Sequence, residues 1–211
     1  MKKYLTEGIG AFFWVFTLVL TANNGTGSLA PLALGAVVAA MMYASESSGG
    51  HFNPAVSLAL LMRGRLDRLD LPYYALAQAL GGFVAALIGV FLLGCGNAGA
   101  TNIQMRVNDP ICALLAEFVG TFALVYVFLQ TLPEPGQTRH SLHGLVTGLA
   151  VMAAHYALGP VSGGLLNPAA GVGAIASGMA VWSDIWLYIV GPVLGAAAAV
   201  TAVQAIRGPE S

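Results

Sequence analysis

One short pattern occurs twice in this chain of 211 residues. It reads Gly49-Gly50-His51-Phe52-Asn53-Pro54-Ala55, and it returns as Gly163-Gly164-Leu165-Leu166-Asn167-Pro168-Ala169. Each copy sets two glycines and two apolar or amphipathic residues ahead of Asn-Pro-Ala, and each opens an apolar run. Asparagine is a strong helix N-cap. Proline suits the first helical position because the N–H it lacks would have no partner there. Each triplet therefore predicts a helix start. From Asn53 to Met62 the run has ten residues before Arg63. At about 1.5 Å per residue that is roughly 15 Å, half of a ~30 Å hydrocarbon core. Two such helices, in corresponding places of two halves, fit a membrane pore built from half-spanning helices.

The rest of the chain supplies the spans. Hydrophobic residues make up 57% of it and charged ones only 8%, where a soluble domain carries about 25% charged residues. Apolar segments fall at about 5–22, 29–44, 71–94, 111–132, 141–158 and 183–206. Each is near the length of a spanning helix, the second and fifth being short. The polar connections are brief, so residues 1–211 read as a single membrane domain. Met1-Lys2-Lys3 before an apolar run imitates a signal peptide, but the repeat makes that run a retained first span. A net charge of −1 gives no electrostatic case for nucleic acid. Cys95 and Cys112 lack metal-ligand spacing and read as two free thiols. No cofactor is expected.

The repeat extends beyond the triplets. Glu7-x-x-Gly10-x-Phe12 returns as Glu117-x-x-Gly120-x-Phe122, and Tyr74 and Gly81 return as Tyr188 and Gly195. Three full crossings separate Glu7 from Glu117, and an odd number turns the second copy upside down. The expectation is an all-α membrane protein of six transmembrane helices plus two half-spanning re-entrant helices. Its inverted repeats cover about 1–108 and 109–211. The half-helices then enter from opposite faces and meet near the midplane. With the N-terminus inside, Lys2, Lys3, Arg63, Arg65, Arg68, Arg139 and Arg207 fall on the inner face and only Arg106 on the outer. That bias puts both termini in the cytoplasm. Trp182 and Trp186 sit at the outer start of the last span as aromatic-belt residues.

These motifs together resemble the aquaporin and aquaglyceroporin (major intrinsic protein) family. The resemblance rests on two Asn-Pro-Ala triplets in inverted repeats, each led by Glu-x-x-Gly-x-Phe. Ser48 to Ser57 is similar to the family's first loop, and Tyr188-x-x-Gly191-Pro192 to its last span. The likeness covers essentially the whole chain. It implies a passive channel in the cell membrane for water or small uncharged solutes, not an enzyme. It also implies one pore per subunit and a homotetramer in the lipid bilayer.

The resemblance assigns roles to residues. Asn53 and Asn167 face each other at mid-pore, with Pro54, Ala55, Pro168 and Ala169 opening the helices behind them. Each helix N-terminus carries roughly half a positive charge, which disfavours cations. For one Asn-Pro, an N-cap role would suffice; the symmetric pair asks for more. Gly49, Gly50, His51 and Gly163 belong to extended segments whose carbonyls line the pore, since glycine permits unusual backbone angles. Glu7 and Glu117, carboxylates in apolar spans, brace those loops by accepting backbone N–H groups. His140 and His143 read as a polar helix start. His155, twelve residues before Asn167, matches the histidine of the water-selective branch in the outer constriction.

The chain departs from the family at that constriction. Ala170 stands where the family has arginine, and Gly164 takes the other loop position. The second span contributes Leu34, or Ala33 if the loop is counted without a gap. The outer filter is then His155, Gly164, Ala170 and Leu34 or Ala33, with no fixed cation and little bulk. A filter of this kind admits neutral solutes such as glycerol, urea or undissociated metalloid acids beside water. A strict water channel is the alternative, and a non-conducting membrane adhesion or scaffold protein a more distant one.

Overall fold

A computed structural model describes residues 1–24, 27–45, 47–96, 104–105, 107–133 and 142–208. Among them every regular element is helical. Among the described residues five helices are long and apolar enough to cross a membrane. These are α1 (Lys2–Asn23), α4 (Leu71–Cys95), α5 (Pro110–Thr131), α6 (His143–Ser162) and α8 (Leu187–Arg207). α2 (Ala30–Tyr43) has 14 residues, about 21 Å, and a 3-10 turn at Gly27–Leu29 precedes it. α3 (Pro54–Met62) and α7 (Pro168–Ala176) have nine residues each, as the triplets predict.

One boundary differs from the sequence reading. α6 runs on to Ser162, with Pro160 inside it. It stops where Gly163 turns left-handed (φ 92) and its N–H closes on the Gly159 carbonyl at 2.9 Å. Glycine tolerates that conformation without a Cβ penalty, the usual helix stop. The last apolar span covers Trp182–Arg207, within which Trp182–Asp184 form a 3-10 turn and α8 starts at Leu187. Arg106, Arg139 and His140 lie outside the described residues.

Beside a large apolar core the interior holds polar groups, while apolar side chains also cover the outside. Glu7, Asn53, Ser57, Gln78, Glu117, His143 and Asn167 are buried, while Leu76 (57% exposed), Leu80 (54%), Phe91 (69%) and Leu115 (59%) face outward. A water-facing surface does not carry so much contiguous apolar area. In lipid the distribution is the expected one, since ionisable groups turn to the bundle interior.

Small residues let the helices approach. α1 pairs with α4, and α5 with α8, in matching ways. A Cβ on Gly81 would stand 2.2 Å from the Gly8 carbonyl oxygen, and one on Gly195 would stand 2.3 Å from that of Phe118. α2 meets α6 across Gly35 and Gly148. Helix pairing in lipid depends on packing of this kind.

The face bearing both termini is tied together by its basic residues. Lys3 pairs with Asp70, and Tyr4 donates to the same carboxylate at 2.6 Å. These two donors hold the Asp70 carboxyl below the usual carboxylate range. Arg63 donates to the Gly208 carbonyl, Arg65 to that of Pro133 and Arg207 to that of Gln130. Cys95 ends α4 and Cys112 sits in the first turn of α5; both are exposed, free thiols. Asp109 caps α5, and the Cys112 and Ile111 N–H groups hold its carboxyl below the usual range.

Gly81→Val should destabilise the α1–α4 pair by about 1–3 kcal/mol or more, because the obstacle is backbone and cannot rotate away. Gly94→Ala, with nothing within 4 Å of the added carbon, should leave thermal stability in detergent at or above wild type. A Gly81→Val protein as stable as wild type would refute the close crossing.

Candidate functional site

The two Asn-Pro-Ala triplets meet in space. Asn53 has extended backbone (φ −150, ψ 119), and its Oδ1 accepts the Ala55 N–H at 2.9 Å. Asn167 does the same (φ −155, ψ 115) with the Ala169 N–H at 2.9 Å. Both are therefore N-caps. Their amide nitrogens then cross to the other half. Asn53 Nδ2 donates to the Leu166 carbonyl at 2.8 Å, and Asn167 Nδ2 donates to the Phe52 carbonyl at 3.0 Å. An NH2 group carries two hydrogens, so each amide keeps a second donor for other use. Sequence reasoning found the caps and missed this cross-link.

The residues that receive these bonds are strained. Phe52 (φ 52) and Leu166 (φ 55) are the non-glycine residues with left-handed backbone among those described. Such a conformation costs of order 1–3 kcal/mol for a residue with a side chain. The carboxylates expected as braces hold it. Glu7 accepts the His51 N–H at 3.0 Å and the Phe52 N–H at 2.6 Å. Glu117 accepts the Leu165 N–H at 2.9 Å and the Leu166 N–H at 2.6 Å. Each strained residue thus gives its N–H to a glutamate of its own half and its carbonyl to an asparagine of the other.

The loop is pinned upstream as well. Tyr74 donates to the Ser48 carbonyl at 2.9 Å, and Tyr188 to the Ser162 carbonyl at 3.0 Å. The following glycines are left-handed in both copies: Gly49 (φ 96), Gly50 (φ 72), Gly163 (φ 92) and Gly164 (φ 61). A side chain at these four positions would strain the turn.

The halves differ around their glutamates. Gln78 Nε2 donates to Glu7 at 2.7 Å and to Ser57 Oγ at 3.0 Å, and Ser57 Oγ lies 3.0 Å from His51 Nδ1. Ser57 Oγ thus accepts from Gln78 and joins it to His51 in one chain of hydrogen bonds to Glu7. The His51 ring packs beside Tyr74 and Phe128. In the second half Ser162 donates to Glu117 at 2.7 Å, while Leu165, Gly171 and Pro192 stand where His51, Ser57 and Gln78 stand in the first. Gln78 was legible in principle: it is the only amide or charged side chain between Leu71 and Cys95.

The expected filter residues are partly brought together. His155 Nδ1 stands 3.1 Å from the Gly164 carbonyl. A carbonyl only accepts, so Nδ1 carries the hydrogen and Nε2 the lone pair. Ala170 is fully buried in the first turn of α7. Leu34 is buried and Ala33 half-buried, next to Gly35, which meets Gly148 and Met152 of α6 one turn before His155. His143 does open α6, but it is more than a polar helix start. It is fully buried, with Nδ1 2.8 Å from Thr131 Oγ1 and its ring edge-on to Phe128.

Glu117→Gln should lower folded yield and thermal stability, by about 1–3 kcal/mol, because an NH2 then confronts a backbone N–H. Protein that does fold should keep wild-type selectivity. A variant with wild-type stability and altered selectivity would contradict the bracing role.

Residues 1–202 match the family description Major intrinsic protein. Aquaporin NIP1-1 of Zea mays is 33% identical, over 98% of this chain and 75% of its own length. Aquaporin TIP2-3 of Arabidopsis thaliana is 35% identical, over 94% of this chain and 84% of its own. The structure of the aquaglyceroporin from Plasmodium falciparum shares the fold, with a TM-score of 0.81 at 24% identity, covering 95% of this chain and 93% of that one. These likenesses agree with the paired triplets and the helical architecture: the chain belongs to the major intrinsic protein family of membrane channels.

Proposed function

We propose that the protein is a passive channel for water and small neutral solutes such as glycerol, urea or an undissociated metalloid acid. The observation that carries this reading is the cross-linked pair Asn53 and Asn167 at the tips of two nine-residue helices. In this reading residues 1–211 form one channel domain of two inverted halves, about 1–108 and 109–211. α3 and α7 are re-entrant and enter from opposite faces. The pore runs past the second N–H of each asparagine and past the carbonyls of the two glycine-led loops.

Ion exclusion follows from the same geometry. Each helix N-terminus presents roughly half a positive charge to the midplane. A water there orients its oxygen toward the asparagines and cannot easily relay a proton, while a cation meets positive potential and loses its hydration. The filter of His155, Gly164, Ala170 and Leu34 or Ala33 adds no fixed cation. His155 offers an imidazole lone pair there, which suits solutes rich in N–H or O–H donors.

The subunit sits in the cell membrane with both termini cytoplasmic. The clustering of Lys2, Lys3, Arg63, Arg65, Arg68 and Arg207 on the terminal face supports this. A homotetramer with one pore per subunit fits the family. One observation favours the narrower alternative, a strict water channel: Ala170 is fully buried, so the space left by an arginine is not simply open.

Ala170→Arg in proteoliposomes decides between them. A guanidinium fills space and presents several donors with a permanent charge. Glycerol and urea flux should fall much more than water flux. A wild type that passes water but none of these solutes would establish the strict water channel. A wild type that passes nothing would leave the non-conducting reading.

A further inference from the structure

The filter positions carry little bulk, yet the loop beside them is not exposed. Gly163, Gly164 and Ala170 are all buried. Part of what covers Gly163 comes from the segment between α4 and α5. The sulfur of Met105 lies 2.3 Å from where a Cβ of Gly163 would stand, and its Cγ and Cε lie 3.5 Å from the same point. The Met105 N–H donates to the Met179 carbonyl at 2.7 Å. Gly163 precedes α7 and Met179 follows it. Met105 therefore straps the two arms of the loop that carries Asn167. Its side chain packs against the buried core and remains partly exposed. The next residue along the loop, Gly164, is the one whose carbonyl meets His155.

We infer that Met105 is a specificity-determining residue of this channel, its thioether narrowing the mouth beside Gly163 where the loop positions of the filter, Gly164 and Ala170, supply little bulk. The inference rests on the channel reading given above. Methionine is unbranched and polarisable and fills irregular gaps. It takes up space as an arginine would but brings no charge and no fixed donors. A mouth trimmed in this way selects by size and yields to slightly larger neutral solutes. The thioether sits in the space that the glycine at 163 leaves open.

The test uses the full chain in proteoliposomes with Cys95→Ser and Cys112→Ser as background. Met105→Ala should raise the ratio of glycerol to water permeability by about tenfold, the low end of what a methylene or two in a confining site is worth. Met105→Leu should keep the wild-type ratio. Met105→Cys should lose water and glycerol flux when a cationic methanethiosulfonate reagent is added on the side of the α4–α5 connection, and recover both on reduction. If Met105→Ala does not fold, the thiol-labelling and leucine variants still decide. A conducting wild type, with an unchanged ratio in Met105→Ala or with full flux after labelling of the introduced thiol, overturns the inference alone. A wild type that passes neither water nor glycerol overturns the channel reading as well.

Discussion

Two hydrogen bonds hold the centre of this molecule: Asn53 to the Leu166 carbonyl and Asn167 to that of Phe52. They join halves that are far apart in sequence, and they land on the two strained non-glycine residues. Neither Phe52 nor Leu166 would hold a left-handed backbone alone. Glu7 and Glu117 fix their N–H groups and the opposite asparagine fixes their carbonyls. Loop, cap and carboxylate thus form one closed set of bonds, in which removing any member leaves a buried polar group unmet. In a low-dielectric interior that is costly.

The remainder of the fold brings these pieces within reach. Glu7 is on α1 and Glu117 on α5, so those helices must sit beside the loops they brace. Their partners α4 and α8 come close enough only because Gly81 and Gly195 lack side chains. Tyr74 and Tyr188 then reach back from α4 and α8 to the start of each loop. The two halves repeat this plan but fill it with different chemistry. The first surrounds its glutamate with Gln78, Ser57 and His51, and the second with Ser162, leucine, glycine and proline.

The fold was legible because its strongest signals are local. Asn-Pro is both cap and first turn, glycine pairs mark the loop, and a buried glutamate in an apolar span needs donors. These gave the short helices, while the bracing role of Glu7 and Glu117 and the filter place of His155 and Gly164 came from the family resemblance. What stayed hidden depends on contacts across the bundle. The asparagine cross-link joins residues more than a hundred positions apart, and no periodicity announces it. The continuation of α6 through Pro160 reflects the αL stop at Gly163, which a sequence reader places earlier, at the proline. Met105 follows a connection with no regular pattern, so its place over Gly163 was not readable from spacing.

The most direct test is Asn167→Asp, with water permeability and cation conductance measured on the same reconstituted protein. Aspartate is as good an N-cap as asparagine, so the Ala169 N–H keeps its acceptor and α7 keeps its start. What changes is the rest of the side chain. An ionised carboxylate has no hydrogen for the Phe52 carbonyl or for a passing oxygen, and it sets negative charge against two helix N-termini. The account predicts a destabilised protein whose folded fraction conducts cations. Unchanged stability and water flux with no cation conductance would contradict it.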